Sequence, residues 1–123
     1  MKIYIDGSST PNNSKVVNKA KYAVVIHSDY GNHQWVQDVG NKTNNEAEYE
    51  ALQAALEFSV GYGHTSEDIT IYTDSKLVYG QVMKGWKCQE KFRGYLDVIR
   101  VLLPIARLEW IPREQNLAGK LLE

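Results

Sequence analysis

The sequence has one cysteine and no long hydrophobic run, and both shortages exclude classes of protein. Cys88 alone, in a chain of 123 residues, cannot form an internal disulfide, which excludes disulfide-rich secreted scaffolds and zinc sites built from several cysteines. No window reaches the roughly 18 apolar residues of a membrane span. Asp6 interrupts the N-terminal stretch where a signal peptide needs an unbroken apolar run. We therefore expect a cytoplasmic protein with no membrane contact.

Charge of one sign is also lacking. Fourteen Lys and Arg stand against fifteen Asp and Glu, so the net charge is −1 and a polyanionic partner would need a local basic patch. Hydrophobic residues make up 43% and charged residues 24%, which is ordinary for a globular domain. At this length folding buries roughly two-thirds of the unfolded surface. We expect a single domain over residues 1–123 that is a monomer.

Hydrophobic periodicity predicts the element order βββαβααβα, without internal repeats. Runs of β-branched and aromatic residues indicate strands at 2–6, 21–27, 33–39, 69–73 and 107–111. Spacings of three and four indicate helices at 44–60, 76–83, 92–103 and 114–123. Gly61, Tyr62 and Gly63 are the expected stop signal of the first helix. This order predicts an α/β domain in which an antiparallel hairpin is extended on one side by parallel strands, with helices on its faces.

Acidic residues occur where these elements meet. Asp6 closes the first predicted strand and Asp74 closes the fourth, so both carboxylates emerge at one end of the sheet if the two strands are adjacent and parallel. Glu46, Glu48 and Glu50 begin the connecting helix, and one of them could complete a three-acid cluster. Such a cluster is costly unless a hard divalent cation neutralises it. The alternative is that these acids are turn formers, caps and a solvated helix start, and spacing alone leaves both interpretations open.

Four segments resemble, in order, the successive blocks of the type 1 ribonuclease H family. They are YIDGS at 4–8, TNNEAEYEAL at 43–52, IYTDS at 71–75 and WIPREQN at 110–116, and together they cover essentially the whole chain. The resemblance implies a ribonuclease H-like α/β fold: a five-stranded mixed sheet, three strands antiparallel plus two parallel, flanked by helices.

The same resemblance implies an endoribonuclease that hydrolyses the RNA strand of RNA–DNA hybrids. The family uses a two-metal-ion mechanism that leaves 5′-phosphate and 3′-hydroxyl ends. The implied cofactor is therefore a pair of Mg²⁺ ions per site, with Mn²⁺ as the alternative ion, and the implied partner is an RNA–DNA hybrid.

Carried over by position, the resemblance places the first three catalytic acids at Asp6, Glu48 and Asp74. Glu48 is the match because the family's acid lies three residues after the second Asn of the Thr-Asn-Asn block. Glu46 and Glu50 then belong to the solvated face of the helix.

The fourth acid of the family is missing. Lys120 stands where an Asp usually follows the Asn of the last block by four residues, and an ammonium group cannot ligate a cation. Asn116 could offer its amide oxygen, Glu123 could offer a carboxylate, or the position is vacant and the protein binds hybrids with weak or no cleavage. We favour Asn116, because Glu123 is the last residue and frays. The expected catalytic and metal-binding residues are Asp6, Glu48, Asp74 and Asn116.

The resemblance also implies contacts with the RNA strand. Recognition of 2′-hydroxyls in a wide, shallow minor groove asks for short neutral side chains, which Asn44 and Asn45 supply unless they serve only as a helix cap. Gly7 and Ser8, next to the first acid, would let the RNA backbone approach closely.

The DNA strand needs a separate basic surface. Residues 76–93 form the most basic stretch of the chain, and its candidate contacts are Lys76, Lys84, Trp86 and Lys87. The alternative is that this basic surface only keeps the protein soluble and contacts no DNA.

The histidine that many family members carry before the last helix is missing as well. His27, His33 and His64 lie elsewhere in the sequence, so Arg113 is the nearest candidate for a phosphate contact. The alternative for Arg113 is an idle, solvated surface charge.

Overall fold

A computed structural model of the protein describes residues 1–13, 15–61 and 68–123. These residues form five strands and four α-helices, in the chain order β1 (Lys2–Thr10), β2 (Lys19–Ser28), β3 (Gly31–Gly40), α1 (Asn44–Gly61), β4 (Thr70–Thr73), α2 (Lys76–Met83), α3 (Arg93–Leu102), β5 (Arg107–Trp110) and α4 (Leu117–Leu122). The strands lie in the order β3-β2-β1-β4-β5, with antiparallel pairs among the first three and parallel pairs from β1 to β4 to β5. The predicted mixed sheet is confirmed.

Helix α1 begins at a reciprocal cap. The Thr43 N–H donates to Glu46 Oε1 at 3.1 Å, and the Glu46 N–H donates to Thr43 Oγ1 at 3.4 Å. This pair satisfies two amides that no helical carbonyl can reach. The helix ends at Gly61, while Tyr62 and Gly63 of its expected stop signal lie outside the described residues. The cap explains why Glu46 stands at the helix start without serving the acidic cluster.

The two faces of the sheet pack against different helices. Residues alternate along β1, so that Ile3 and Ile5 are fully buried in the main core with α1, α2 and α3. Tyr4 points the other way and packs in the smaller cluster where α4 covers the sheet. Asp6 lies two residues after Tyr4, on the same face of the strand, and therefore faces α4. Helices on both faces shield the sheet at the point where the acids meet.

The prediction that the first strand ends at Asp6 is wrong. Strand β1 continues to Thr10, because β2 is long enough to pair with it up to that residue. The parallel pairing with β4 ends earlier, at Tyr4 opposite Tyr72. Asp6 and Asp74 each lie two residues beyond that last pair. The parallel register thus places the two acids side by side. Strand β4 ends at this position, whereas β1 continues past it.

The C-terminal elements are shorter than predicted. Residues 90–92 and 103–105 form 3₁₀ turns at the two ends of α3, and the second of these contains Pro104. Helix α4 begins after a further 3₁₀ turn at 113–115, because Asn116 is its N-cap and accepts a hydrogen bond from the Ala118 N–H. Within the described residues, no helix has the length and apolarity needed to cross a membrane.

Candidate active site

Three acids from separate elements converge at one place. Asp6 lies on β1, Glu48 in the second turn of α1, and Asp74 directly after β4. One carboxylate oxygen from each residue lies within 4.8 Å of the other two. Asp6 and Glu48 are buried, with 6% of each exposed, whereas Asp74 is partly exposed. The cluster therefore has a protein wall on one side and an opening at Asp74.

Gly7 holds two of these acids in place. Its N–H donates to Asp6 Oδ1 and to Glu48 Oε1, both at 3.0 Å. A Cβ atom on Gly7 would lie 2.6 Å from the Ala47 carbonyl carbon and from the Glu48 amide nitrogen. Only glycine lets α1 pack this closely on β1, so the separation of Asp6 and Glu48 depends on the absent side chain. The sequence predicts that an RNA backbone approaches Gly7 closely. In the structure the segment that lies this close to Gly7 is α1.

We expect Gly7→Ala to destabilise the protein by about 1–3 kcal/mol, because its added methyl group overpacks the contact between β1 and α1. It also moves Glu48 away from Asp6 and weakens cation binding. Thermal unfolding and calorimetric titration with Mg²⁺ measure the two effects. The matched control is Gly94→Ala on α3, where an added Cβ meets nothing within 4 Å. Equal behaviour of the two variants would contradict the packing role of Gly7.

The environment of Glu48 disfavours its negative charge. Burial is the main cause that raises the pKa of Glu48 well above its ordinary value, and the hydrogen bond and negative charge of Asp6 raise it further. The charge of Asp74 acts in the same direction, while the Gly7 N–H lowers the pKa. Glu48 Oε2 is buried and has no hydrogen-bond partner among the described residues. Glu48 is thus a carboxylate with an unused oxygen that lacks a compensating positive charge.

This donor set fits a divalent cation. Three carboxylates within a few ångströms repel one another, and hard cations such as Mg²⁺ take carboxylate oxygens as ligands. The unpartnered Oε2 of Glu48 is an oxygen that such a cation would engage. Asp6, Glu48 and Asp74 are the residues that would hold it.

Asn116 has a different role from the one expected. Its Nδ2 donates to the Ile5 carbonyl at 2.8 Å and to Asp74 Oδ2 at 3.0 Å, and its Oδ1 accepts from the Ala118 N–H at 3.1 Å. The amide cannot be turned round, because the Ile5 carbonyl only accepts and the Ala118 N–H only donates. The expected ligand oxygen therefore caps α4. In this geometry Asn116 is a fully buried donor to Asp74, and its oxygen is engaged with the start of α4.

The pKa of Asp74 is raised overall, and the hydrogen bond from Asn116 partly opposes that rise. Burial raises the pKa of Asp74, and the nearby charge of Asp6 raises it too. The Asn116 amide and the positive charge of Arg113 lower it. Arg113, the expected phosphate contact, is therefore within electrostatic reach of the open side of the cluster.

Helix α4 lies against the cluster. A Cβ atom on Gly119 would come within 3.1 Å of Asp6 Oδ2. The next residue, Lys120, lines a shallow cleft together with Arg113, Glu114, Asn116, Gly119 and Glu123. Glu123, the second candidate for the fourth ligand, lies on this cleft and does not join the three converging carboxylates of the described residues. Glu50 is also engaged elsewhere, since its Oε2 accepts from the Tyr95 hydroxyl at 3.3 Å.

One expected RNA contact and one expected DNA contact line the same opening. A polar cleft brings Asn45 and Lys87 together, and its lining residues are Asn12, Thr43, Asn45, Leu77, Gln81, Lys87, Gln89, Lys91 and Phe92. Asn44 lies beside it with its Oδ1 buried and unpartnered among the described residues. The Asn44 N–H donates to Asn12 Oδ1 at 2.8 Å. Asn12 was missed in the sequence, where only its tolerance of a positive φ, here 61°, could have indicated it.

The remaining predicted contacts fall into two groups. Lys76, Lys84 and Trp86 lie together in a second depression, the aromatic groove, which is completed by Tyr79 and Trp110. Ser8 lies on β1 opposite Lys21 of β2, one residue beyond Gly7. His27 and His33 lie on β2 and β3, and His64 is outside the described residues. Trp110 begins the WIPREQN segment, but the sequence did not predict its place in this groove, because its contact with the backbone of Asp74 is a tertiary one.

An α/β domain of this strand order, in which acids from β1, from α1 and from the residue after β4 converge at one end of the sheet, has the arrangement of a carboxylate-centred metal site. The family model described as RNase H matches residues 1–102, and the chain belongs to the RNase H family. It is accordingly a nuclease.

Known proteins resemble the chain over nearly its whole length. RNase H1 of the halophilic archaeon Halobacterium salinarum is 31% identical with a TM-score of 0.80, over 98% of this chain and 92% of that one. LC11-RNase H1, solved in complex with an RNA/DNA hybrid, is 29% identical with a TM-score of 0.74, over 99% of both chains. The putative hydrolase EbsB of Enterococcus faecalis is 26% identical over 99% of this chain and 90% of its own length. The likeness thus extends past residue 102 into β5 and α4.

We expect the metal-free protein to lose stability as the pH rises. Glu48 and Asp74 have pKa values raised above their ordinary 4.5 and 3.8, so the folded state binds more protons than the unfolded state. Their favourable contribution is complete below about pH 4 and is lost as the pH rises through the raised folded values. Saturating Mg²⁺ at pH 7 should restore about 2.7 kcal/mol at a hundredfold excess over its dissociation constant.

Thermal unfolding from pH 4 to 8, in chelator and in Mg²⁺, measures both effects. Glu48→Gln is the control, since it removes the charge and should flatten the metal-free profile. A metal-free stability that rises between pH 5 and 7 would contradict this account of the cluster.

Proposed function

We propose that the protein is an endoribonuclease that hydrolyses the RNA strand of RNA–DNA hybrids with two divalent cations and leaves 5′-phosphate and 3′-hydroxyl ends. The observation that carries the proposal is the convergence of Asp6, Glu48 and Asp74 within 4.8 Å, with one Glu48 oxygen unpartnered. Membership of the RNase H family supports it, as does the similarity to LC11-RNase H1, which was solved with an RNA/DNA hybrid. Mg²⁺ is the proposed ion, with Mn²⁺ as the alternative.

Each residue of the site has a distinct task in this proposal. Asp6, Glu48 and Asp74 supply the oxygens that hold the cations. Gly7 fixes the first two through its shared N–H, and Asn116 fixes Asp74 through its amide. The chemistry that a bound divalent cation supplies at such a cluster is Lewis-acid polarisation of the phosphoryl group and a lower pKa for the attacking water.

The catalytic unit needs both ends of the chain. Asp6 lies on β1 and Asn116 begins α4, so a fragment that lacks either element has an incomplete site. We therefore propose that residues 1–123 act as one catalytic domain.

The substrate contacts are proposed from their positions around the site. Ser8 lies two residues beyond Asp6 on β1, and Asn44 and Asn45 begin the helix that carries Glu48. Their short neutral side chains suit the 2′-hydroxyls and sugars of the RNA strand. Arg113, beside Asp74, suits the phosphate at the cleavage position.

Lysines line two depressions. Lys87 lines the polar cleft together with Asn45, and Lys76, Lys84 and Trp86 lie in the aromatic groove. We propose that these residues contact the DNA strand, which makes the affinity dependent on salt.

A cleavage assay tests the proposal. The protein is incubated with Mg²⁺ or Mn²⁺ and a hybrid whose RNA strand carries a 5′ label, beside matched DNA duplex, RNA duplex and single-stranded RNA. We expect internal cuts in the RNA of the hybrid alone, and RNA fragments that a polymerase can extend because they end in a 3′-hydroxyl. Absence of cleavage with both ions would overturn the proposed activity.

A second candidate function is hybrid binding with weak or no cleavage. It is favoured by one observation: Lys120 occupies the position of the family's fourth acid, while the oxygen of Asn116 is engaged in capping. In that case the protein retains hybrids without cutting them, and Lys120→Asp gains cleavage. Lys120→Gln is the matched control, since it removes the positive charge without adding a carboxylate.

A further inference from the structure

The aromatic groove adjoins the acidic cluster. It is lined by Lys76, Tyr79, Lys84, Trp86 and Trp110. The Trp110 indole N–H donates to the backbone carbonyl of Asp74 at 3.1 Å, so this ring lies next to the third acid of the cluster. Trp86 is 47% exposed and Trp110 is 37% exposed, so two large aromatic side chains of one depression present part of their surface to solvent. The groove is thus a partly apolar surface beside the site.

Both tryptophan rings are held in position without a ligand. A Cβ atom on Gly80 would lie 2.1 Å from the Trp86 ring, so this ring lies directly on the backbone of α2. The backbone N–H of Trp86 donates to the Gly80 carbonyl at 3.1 Å. Gly85, with a φ of +67°, turns the chain back towards the helix. Trp110 is fixed by its bond to Asp74. A rigid aromatic surface loses little conformational entropy when a ligand stacks on it.

The groove carries positive charge beside these rings. The Lys76 ammonium lies 5.4 Å from the centre of the Trp110 ring. The Lys84 ammonium lies 5.9 Å from the ring centres of both Tyr79 and Trp86. None of the five lining residues is acidic. Aromatic faces bordered by lysines are complementary to a planar base attached to a phosphate.

We propose that the aromatic groove binds unpaired nucleotides of a single strand that continues beyond the hybrid. Bases stack on Trp86 and Trp110, and Lys76 and Lys84 contact the phosphates. A base-paired strand reaches these residues only through its sugars and phosphates, because its bases are already stacked on one another, whereas an unpaired base can also stack on the rings. The proposal rests on the proposed function for the hybrid and adds to it a preference for junctions between hybrid and single strand.

Binding to extended hybrids tests this subsite. In the Asp6→Asn background, which prevents cleavage, affinity is measured for a blunt hybrid and for four hybrids that each carry about six unpaired thymidines at one strand end. We expect one of the four to bind at least about fivefold more tightly than the blunt hybrid, since one stacked base contributes that much. Trp110→Leu should bring this ratio to about one, and Trp110→Phe, which keeps a ring, should retain most of it.

Gly80→Ala is the second variant, because it displaces the Trp86 ring without altering an aromatic residue. It should lower the ratio, whereas Gly94→Ala, a helical glycine with open space around it, should not. Equal affinity for all five hybrids, or a ratio unchanged in Trp110→Leu, would overturn the proposal.

Two further measurements separate this proposal from the proposed function. Cleavage of the blunt hybrid by the unaltered protein decides the activity alone. Quenching of tryptophan fluorescence by a free thymidine oligonucleotide, reduced in Trp110→Leu, decides the groove alone. Quenching absent from the unaltered protein would show that the groove does not stack bases and leaves its surface to a protein partner, whatever the cleavage assay gives.

Discussion

Replacing Asp6 with Asn should lower the rate of hybrid hydrolysis by more than about 100-fold, the upper end of what loss of an outer-shell partner costs a metal site. The same change should raise the stability of the metal-free protein, because it removes a negative charge that lies beside Glu48 and Asp74. Activity and stability thus move in opposite directions. Cleavage rates with Mg²⁺ and thermal unfolding in chelator measure the two effects on one protein preparation.

Glu46→Gln is the matched control for this change. It is the same acid-to-amide replacement on a residue that caps α1 outside the cluster, and Gln serves that cap as well as Glu does. Both activity and stability should stay near those of the unaltered protein. Cleavage by Asp6→Asn within tenfold of the unaltered rate would exclude the three-acid cluster as the catalytic centre.

Replacing Asn116 with Ala should cost about 2–4 kcal/mol of stability and slow hydrolysis about 10- to 100-fold. The stability loss combines the N-cap of α4, worth about 1 kcal/mol, with the buried Ile5 carbonyl left without its donor, worth about 1–3 kcal/mol. The activity loss arises because Asp74 is no longer oriented. Chemical denaturation and steady-state cleavage provide the measurements.

Asn116→Ser separates the two roles of this residue. Serine is a good N-cap, so it should recover about 1 kcal/mol relative to Ala, but it does not replace the donor to Asp74. The Asn116 amide lowers the pKa of Asp74, so both variants should shift the pH midpoint of Mg²⁺ binding upward. A midpoint that stays in place in both variants would contradict the positioning role.

Much of the site could be predicted from the sequence because its acids follow from topology. Parallel pairing of the first and fourth strands, joined through one helix, places Asp6 and Asp74 at one edge and makes the helix the source of the third acid. Spacing left Glu46, Glu48 and Glu50 equivalent, and only the family resemblance selected Glu48. Glu46 could have been separated from the site by its capping pattern with Thr43.

The rest depended on packing that no local pattern contains. The true end of β1 is set by the length of β2, and the use of Gly7 by how closely α1 approaches. The orientation of Asn116 follows from two partners, Ile5 and Ala118, of which the first is 111 residues away in the chain. Trp110 belongs to the WIPREQN segment, but only the structure shows that its indole donates to the backbone of Asp74.

The shared amide of Gly7 links the acidic cluster to the packing of α1 on the sheet. Its two acceptors, Asp6 and Glu48, are brought together only when α1 has docked on the sheet, across 41 residues of chain. Any conformation in which α1 is not docked on the sheet holds these two carboxylates apart. A cation that binds both of them would therefore stabilise the docked, folded conformation over undocked ones.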